Sequence, residues 1–134
     1  PRVLVNRTRT PQQALDATGR KQYTDRDVVT AMPRGEGDEV EVIFFKLGRF
    51  INDINLGEEY EFRGLKPADP FSLAAVNEAD PVLADECPNG THWQDADGRW
   101  CYAAFSRWSG VREVSVNRCG SGWVVGWWFA GLRK

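Results

Sequence analysis

The carboxyl-terminal third of the chain, residues 100–134, most constrains how this sequence can fold. It holds five of the six tryptophans, and small or chemically mixed side chains fill the spaces between them. Because large aromatic side chains dominate the packing around them, the pattern predicts a fixed aromatic framework. The intervening small side chains would then form a binding surface. We interpret Trp100, Trp123 and Trp128 as mainly core residues, and Trp108 and Trp127 as aromatics near the surface.

Size and composition indicate one ordinary globular domain. The chain has 134 residues, of which 42% are hydrophobic and 27% are charged, as in most soluble domains. No apolar run approaches the roughly 20 residues that a membrane-spanning helix requires, so we expect no membrane span. The first residues show no signal-peptide pattern, which leaves export open and favours a cytoplasmic or virion-associated protein.

Charge is unevenly distributed along the chain. Residues 51–98 hold eleven acidic side chains against Arg63 and Lys66, a net −9, and residues 99–134 hold six basic side chains against Glu113, a net +5. We expect the two segments to pack together and neutralise each other; the alternative is that the basic segment meets an acidic ligand. The overall charge of −2 and the lack of a dense Lys/Arg cluster argue against a nucleic-acid partner.

The amino-terminal half predicts mainly helices. Thr10 and Gln13 form a capping box around Pro11, so a helix should begin there and end at Gly19. Residues 24–32 predict a second short helix, stopped by Pro33. Residues 40–47 are apolar on both faces, which predicts a central strand.

The middle of the chain predicts two more helices. Residues 52–63 fit both a helix and a strand. Leu56 and Tyr60 are four positions apart, as on one face of a helix, whereas Tyr60 and Phe62 are two apart, as on one face of a strand. We favour a helix, capped by Asp53 or Asn55 and closed at Gly64. A clearer helix begins at Asp69 and Pro70 and is ended by Pro81.

The remainder predicts antiparallel strands. Residues 91–94 and 99–105 flank an Asp-Ala-Asp-Gly turn at 95–98, a strong hairpin signal. In residues 111–117, Val114 and Val116 should face inward and Ser115 and Asn117 outward, and residues 127–133 form a last strand. Helices and one early strand followed by an antiparallel meander indicate an α+β domain.

No catalytic, metal or cofactor site emerges from the polar residues. His92, the one histidine, stands near Asp95 and Asp97, but the spacing fits no zinc motif. We expect His92 in a packed or hydrogen-bonded position. The three cysteines are Cys87, Cys101 and Cys119; the first two could pair in an oxidising compartment, but free thiols are favoured. We therefore expect no enzymatic activity.

Four stretches near the carboxyl terminus carry a family resemblance. They are residues 100–105, 112–118, 120–123 and 127–134. Over about its last 35 residues the chain resembles the variable proteins of diversity-generating retroelements, which carry a C-type lectin fold of the formylglycine-generating-enzyme type. The resemblance implies a C-type lectin-like domain over residues 40–134, with two helices packed on a small antiparallel sheet. Residues 1–39 would be an amino-terminal extension packed on that domain.

In that family, a reverse transcriptase copies a template with errors at adenines. Asparagine codons thereby become codons for a set that includes Ser, Gly, Val, Cys, Arg, Asp and Tyr, but not Trp, Lys, Glu or Met. Nearly all loop and outward positions in the implied variable region, about residues 106–126, belong to that set; Glu113 departs from it. With the aromatic and basic residues at its edges, the expected ligand-binding set is Ser106, Trp108, Ser109, Val111, Arg112, Ser115, Asn117, Arg118, Cys119, Gly120, Ser121, Val124, Val125, Gly126 and Trp127.

These residues predict a non-enzymatic binding protein with a shallow apolar patch edged by Arg112 and Arg118. Such a patch suits a protein or other macromolecular ligand better than a sugar, because few carboxylates or amides are present to hold hydroxyl groups. The alternative is an unvaried phage tail or surface adhesion module of the same fold. An enzyme related to formylglycine generation would need a reactive cysteine pair, for which Cys101 and Cys119 have no supporting surroundings. The ligand's identity and the oligomeric state stay open.

Overall fold

A computed structural model describes residues 1–118 and 121–134. Within them the chain is an α+β domain with five helices and a mixed seven-stranded sheet. The strands are β1 (Arg2–Leu4), β2 (Lys21–Thr24), β3 (Glu39–Glu41), β4 (Ile43–Lys46), β5 (Leu65–Pro67), β6 (Asn89–Gln94), β7 (Trp100–Trp108), β8 (Val111–Arg118) and β9 (Trp128–Arg133). The helices are α1 (Pro11–Asp16), α2 (Arg26–Thr30), α3 (Asp53–Phe62), α4 (Pro70–Ala79) and α5 (Leu83–Glu86).

The large sheet has the strand order β2-β8-β7-β6-β9-β4, and β5 also pairs with β9. The prediction of an antiparallel sheet is wrong in part, because β2 runs parallel to β8 and β6 runs parallel to β9. Short hairpins force β6, β7 and β8 to be antiparallel, whereas long connections leave the direction of β2 and β9 open. β1 and β3 form a separate antiparallel pair.

The sheet separates two hydrophobic cores, and helices cover both of its faces. On one face, α1, α2, α4 and α5 pack against side chains such as Phe105, Val114 and Val116. On the other, Leu56 and Tyr60 of α3 form a smaller core. The expected two helices are thus only part of the helical content that the structure describes. None of these helices combines the length and apolar character needed to cross a membrane.

Helix positions follow the capping signals. The Thr10 hydroxyl accepts the N–H of Gln13 and the Gln13 side chain accepts the N–H of Thr10, so the predicted capping box is confirmed. Residues 53–62 form the favoured helix, but its cap is Asn52, whose side-chain oxygen accepts the N–H of Asn55 at 2.8 Å. Asp53, one of the two expected caps, instead turns its carboxylate into the protein.

The prediction of one central strand over residues 40–47 is wrong. The segment divides into β3, which pairs with β1, and β4, which lies at an edge of the large sheet. The side chains of β4 are apolar on both faces because Phe44 packs against one core while Ile43 and Phe45 pack against the other. A strand can therefore be covered by side chains on both faces and still lie at the edge of its sheet.

The acidic and basic segments pair with each other, as expected from the charge distribution. Asp85 contacts both Arg107 and Arg112, and Asp95 contacts both Arg99 and Arg118. The basic side chains of the carboxyl-terminal third are consequently neutralised from within the chain.

Candidate ligand-binding surface

The register of β7 against β8 places most predicted ligand-binding residues of these strands on one side of the sheet. Four directly opposite pairs, Tyr102–Asn117, Ala104–Ser115, Ser106–Glu113 and Trp108–Val111, share a side because opposite residues point the same way. We call these eight residues the open face. The alternate residues, which include Phe105, Val114 and Val116, are buried against the helices on the other side.

A tight turn ends the open face at one side of the molecule. Ser109 and Gly110 connect β7 to β8 with φ of 52° and 80°, as in the type I′ hairpin turns that match strand twist. The flanking Trp108 and Val111 are 75% and 44% exposed. The turn therefore presents an aromatic and an aliphatic side chain to solvent.

Arg112 does not belong to the open face, and its assignment to the ligand-binding set is corrected. It shares the helix-covered side of β8 with Val114 and Val116. Its Nε and Nη2 donate to the two carboxylate oxygens of Asp85 at 3.0 and 2.8 Å. The hydrogen bond from Arg112 is the main cause that lowers the pKa of Asp85. The alternation that places Val114 inside also places Arg112 on that side.

The structure adds residues that sequence reasoning missed. In β2, Lys21 lies opposite Glu113 and Tyr23 opposite Ser115, which extends the open face by one strand. Ser115 and Asn117 face away from the larger core, as predicted, and both are half-buried. The Asn117 amide donates to the Tyr23 carbonyl oxygen at 2.9 Å. Alternation could have identified Tyr102 and Ala104, but nothing local predicts the parallel pairing of β2.

The segment after β8 joins the same side of the sheet. Ser121, Val124 and Trp127 line a cavity of about 230 Å³ together with Tyr102 and Ala104. Val124 and Val125 are each 61% exposed, but Val125 does not line this cavity, and Gly126 is half-buried. Cys119 and Gly120, also in the expected set, lie outside the described residues.

The ligand-binding set therefore falls into two groups instead of one compact patch. The seven steps of β8 span about 23 Å at about 3.3 Å per residue. Ser109 lies in the turn before the first residue of β8, whereas Arg118, the last residue of β8, lines the cavity together with Ser121. The half-buried Ser106, Ser115 and Asn117 lie between the two groups.

Trp123 holds the segment after β8 in place. Its main chain exchanges two hydrogen bonds with Ile51, and its indole Nε1–H donates to Asp53 Oδ1 at 3.1 Å. The ring is buried, as expected for a core tryptophan. Trp100 and Trp128, the other two expected core tryptophans, are only half-buried. The Trp100 ring stacks on His92 with 4.3 Å between ring centroids, and the Lys46 ammonium lies 5.6 Å from the centre of the Trp128 ring.

His92 occupies the packed, hydrogen-bonded position that the sequence predicts. It is buried, and its Nδ1 lies 2.7 Å from Asp53 Oδ1. Asp53 Oδ1 also accepts the indole N–H of Trp123, and we assign the Nδ1–H tautomer to His92 so that this oxygen acts as the acceptor for both rings. Nearby, burial raises the pKa of the Tyr60 hydroxyl, which donates to the Ala130 carbonyl at 2.7 Å. These buried polar groups therefore form hydrogen bonds within the core beneath α3.

The cysteines and the acidic turn were the remaining candidates for reactive or metal-binding residues. Cys87 and Cys101 are both free thiols, and burial raises the pKa of the Cys101 thiol, which reduces its nucleophilicity at neutral pH. The Asp-Ala-Asp-Gly segment is a turn in which Asp95 Oδ1 accepts the N–H groups of Asp97 and Arg99. In residues 1–118 and 121–134, no three or more His, Cys, Asp or Glu side chains cluster as a metal site would require.

No family model, no curated protein and no solved structure matches this chain. The geometry of the open face and of the adjoining cavity is therefore the basis for assigning a function.

Proposed function

We propose that this chain is a non-enzymatic binding protein whose ligand face is diversified by retroelement mutagenesis. The ligand face consists of the open face, the turn at Ser109 and the exposed residues around the cavity. In this proposal the domain is a variant of the C-type lectin fold of the formylglycine-generating-enzyme type. The larger mixed sheet and the three additional helices are elaborations of that fold.

The observation that carries the proposal is that four predicted variable residues of the hairpin formed by β7 and β8 share the open face. Ser106, Val111, Ser115 and Asn117 belong to the set that adenine mutagenesis produces, and all point away from the larger core. Trp123, which adenine mutagenesis of an asparagine codon does not produce, is buried beneath the same surface.

This arrangement separates variation from stability. Substitutions of exposed residues usually change the free energy of unfolding by less than about 0.5 kcal/mol, whereas truncating a buried tryptophan costs about 3–5 kcal/mol. Ser109, Ser121, Val124 and Val125 are all exposed. A large repertoire of sequences at these positions can therefore share one fold.

The exposed chemistry favours a protein ligand. Trp108, Val111, Val124 and Val125 present apolar surface, and aromatic residues are enriched among the energetic anchors of protein interfaces. Arg118 at the edge of the cavity is paired with Asp25 and Asp95, so it does not supply an unbalanced positive charge. A sugar is less suited, because Asn117 and Glu113 are the only amide and carboxylate side chains among the eight residues of the open face.

The encoding locus provides the test. We expect a near-duplicate of the segment for residues 106–126 that differs from it only where the duplicate has adenines. The differences should fall in codons of the predicted variable residues, such as 109, 117 and 121, and should spare the Trp108, Glu113 and Trp123 codons. A locus without such a duplicate would refute diversification and leave an unvaried adhesion module as the function.

A further inference from the structure

The cavity beside the open face has aromatic walls at fixed angles. The Tyr102 and Trp123 rings lie 5.7 Å apart at 75°, and the Trp123 and Trp127 rings lie 5.4 Å apart at 73°. Both outer rings therefore stand nearly perpendicular to the middle one. Ala104, on the strand between them, is too small to fill the space that they enclose.

The middle ring is held from several directions before any ligand arrives. Asp53 accepts its indole N–H, Ile51 bonds its main chain, and Gly90 allows the ring to lie directly against β6. A wall that does not move on binding reduces the entropy lost on association. The cavity is thus preorganised.

Its size suits one side chain. Pockets for drug-sized ligands occupy about 300–1,000 Å³, whereas this cavity has about 230 Å³. A protein ligand that lies across the open face would insert a single side chain here.

The polar groups that line the cavity specify the chemistry of that side chain. The Tyr102 and Ser121 hydroxyls and the Trp127 indole N–H make no hydrogen bond within residues 1–118 and 121–134. All three groups can donate, and no carboxylate side chain of the described residues lines the cavity. A hydrogen-bond acceptor on the ligand would therefore find a partner.

Charge selects against ionised side chains. The Arg118 guanidinium lines the cavity, but Asp25 Oδ2 lies 3.4 Å from its Nη1 and Asp95 Oδ2 lies 3.6 Å from its Nε. These carboxylates offset the positive charge that an anionic ligand would need. A ligand ammonium would likewise meet no carboxylate partner among the described residues that line the cavity.

Building on the proposed function, we infer that the cavity receives a tyrosine side chain of the protein ligand. A phenol ring matches three aromatic walls, and its hydroxyl oxygen accepts from the hydroxyl and indole donors. The ring is also neutral, as the paired state of Arg118 requires.

N-Acetyl-L-tyrosinamide is the probe, and the indole Nε1–H signals in ¹H–¹⁵N NMR spectra are the readout. We expect saturable shifts of the Trp123 and Trp127 signals with a Kd on the order of millimolar. The phenylalanine amide should bind about 2–10-fold more weakly, since it lacks one hydrogen bond. The lysine and glutamate amides should bind more weakly still. Equal shifts with all four amides, or no saturation with the tyrosine amide, would overturn the inference.

Two exposed positions supply matched variants. Ser121→Phe places a ring at the cavity and should abolish the shifts, whereas Val125→Phe adds the same ring outside the cavity and should leave them unchanged. Tyr102→Phe should reduce the preference for tyrosinamide over phenylalaninamide. A Val125→Phe protein that loses binding as Ser121→Phe does would contradict the site.

The test of the tyrosine pocket and the test of diversification can fail independently. A template duplicate at the locus, together with no tyrosinamide binding, would refute only the tyrosine pocket. Tyrosinamide binding without a duplicate would refute only diversification.

Discussion

The Trp123 ring lies against the main chain of Gly90, so closely that a Cβ atom at residue 90 would stand 2.5 Å from Trp123 Cη2. The same atom would stand 3.1 Å from the Ala103 carbonyl oxygen. Real Cβ atoms do not approach other atoms to 2.5 Å, so either the ring or β6 must shift. This contact couples the framework beneath the open face to the middle of the sheet.

We therefore expect Gly90→Ala to destabilise the protein by about 1–3 kcal/mol, the usual cost of overpacking a core. It should also move the Trp123 indole signal. Urea denaturation and NMR provide the two measurements. Gly57→Ala is the control, because residue 57 lies inside α3 and its added Cβ would meet only a Trp100 ring atom, at 4.0 Å. This control should stabilise the protein by about 0.5–1 kcal/mol. Destabilisation by both variants alike would contradict the close contact.

Asp53 joins two side chains that are far apart in sequence. Its Oδ1 accepts from Trp123 Nε1 and from His92 Nδ1, and all three side chains are buried. Asp53→Ala should cost about 1–3 kcal/mol or more, since two buried donors lose their acceptor. In a double-mutant cycle of denaturation measurements with Trp123→Phe, we expect a coupling energy of about 0.5–3 kcal/mol. Additive effects would show that the indole hydrogen bond does not stabilise the fold.

Ser109 adopts a positive φ, which most L residues avoid. Because asparagine tolerates that conformation better than serine and Asn-Gly is the preferred type I′ pair, Ser109→Asn should raise the free energy of unfolding, and Ser109→Val should lower it. Each change should amount to about 0.5–1 kcal/mol, by analogy with other turn and backbone effects. Thermal unfolding of the two variants measures the difference. Identical stabilities would argue against the left-handed turn.

Local signals predicted the local structure well. The capping box at Thr10, the Asp-Ala-Asp-Gly turn and the alternation of Val114 and Val116 each depend on residues within a few positions of one another, so one sequence is sufficient to read them. The same alternation also assigns Arg112 to the helix-covered side, so Arg112 does not edge the apolar patch of the open face.

Long-range pairing could not be predicted in the same way. The parallel partnership of β2 with β8 joins residues about ninety positions apart, and no local pattern encodes its direction or register. Lys21 and Tyr23 therefore entered the candidate surface only from the structure. Similarly, the apolar faces of β4 showed that both sides are covered, but not that the strand lies at an edge.

The ion pairs of Asp85 predict how stability depends on pH. The hydrogen bond from Arg112, with help from Arg107 and Arg20, lowers the pKa of Asp85 in the folded protein. The ionised carboxylate thus stabilises the fold above the unfolded value of about 3.9, and this contribution is lost as pH falls through the lower folded value. The difference in unfolding free energy between wild type and Asp85→Asn should have its maximum value at pH 7 and should decrease below about pH 4.

Urea denaturation at a series of pH values checks this expectation. Glu86→Gln provides the control, because residue 86 is exposed on the same helix and makes no ion pair among the described residues. A difference between wild type and Asp85→Asn that stays constant down to pH 3 would contradict the stabilising role of the carboxylate.

Exposed positions should accept combined substitution while the aromatic framework does not. Replacing Ser109, Ser121, Val124 and Val125 together by other residues of the adenine-accessible set should shift the free energy of unfolding by less than about 2.5 kcal/mol. Changes at the three other positions contribute about 0.5 kcal/mol or less each, and a change at Ser109 contributes about 0.5–1 kcal/mol. The turn constraint at Ser109 makes it the most sensitive of the four. Trp123→Ala alone should cost about 3–5 kcal/mol. Denaturation of a small set of such combinations measures both effects. If the combined surface variants unfold as readily as Trp123→Ala, the surface is part of the stability core and cannot serve as a freely variable ligand face.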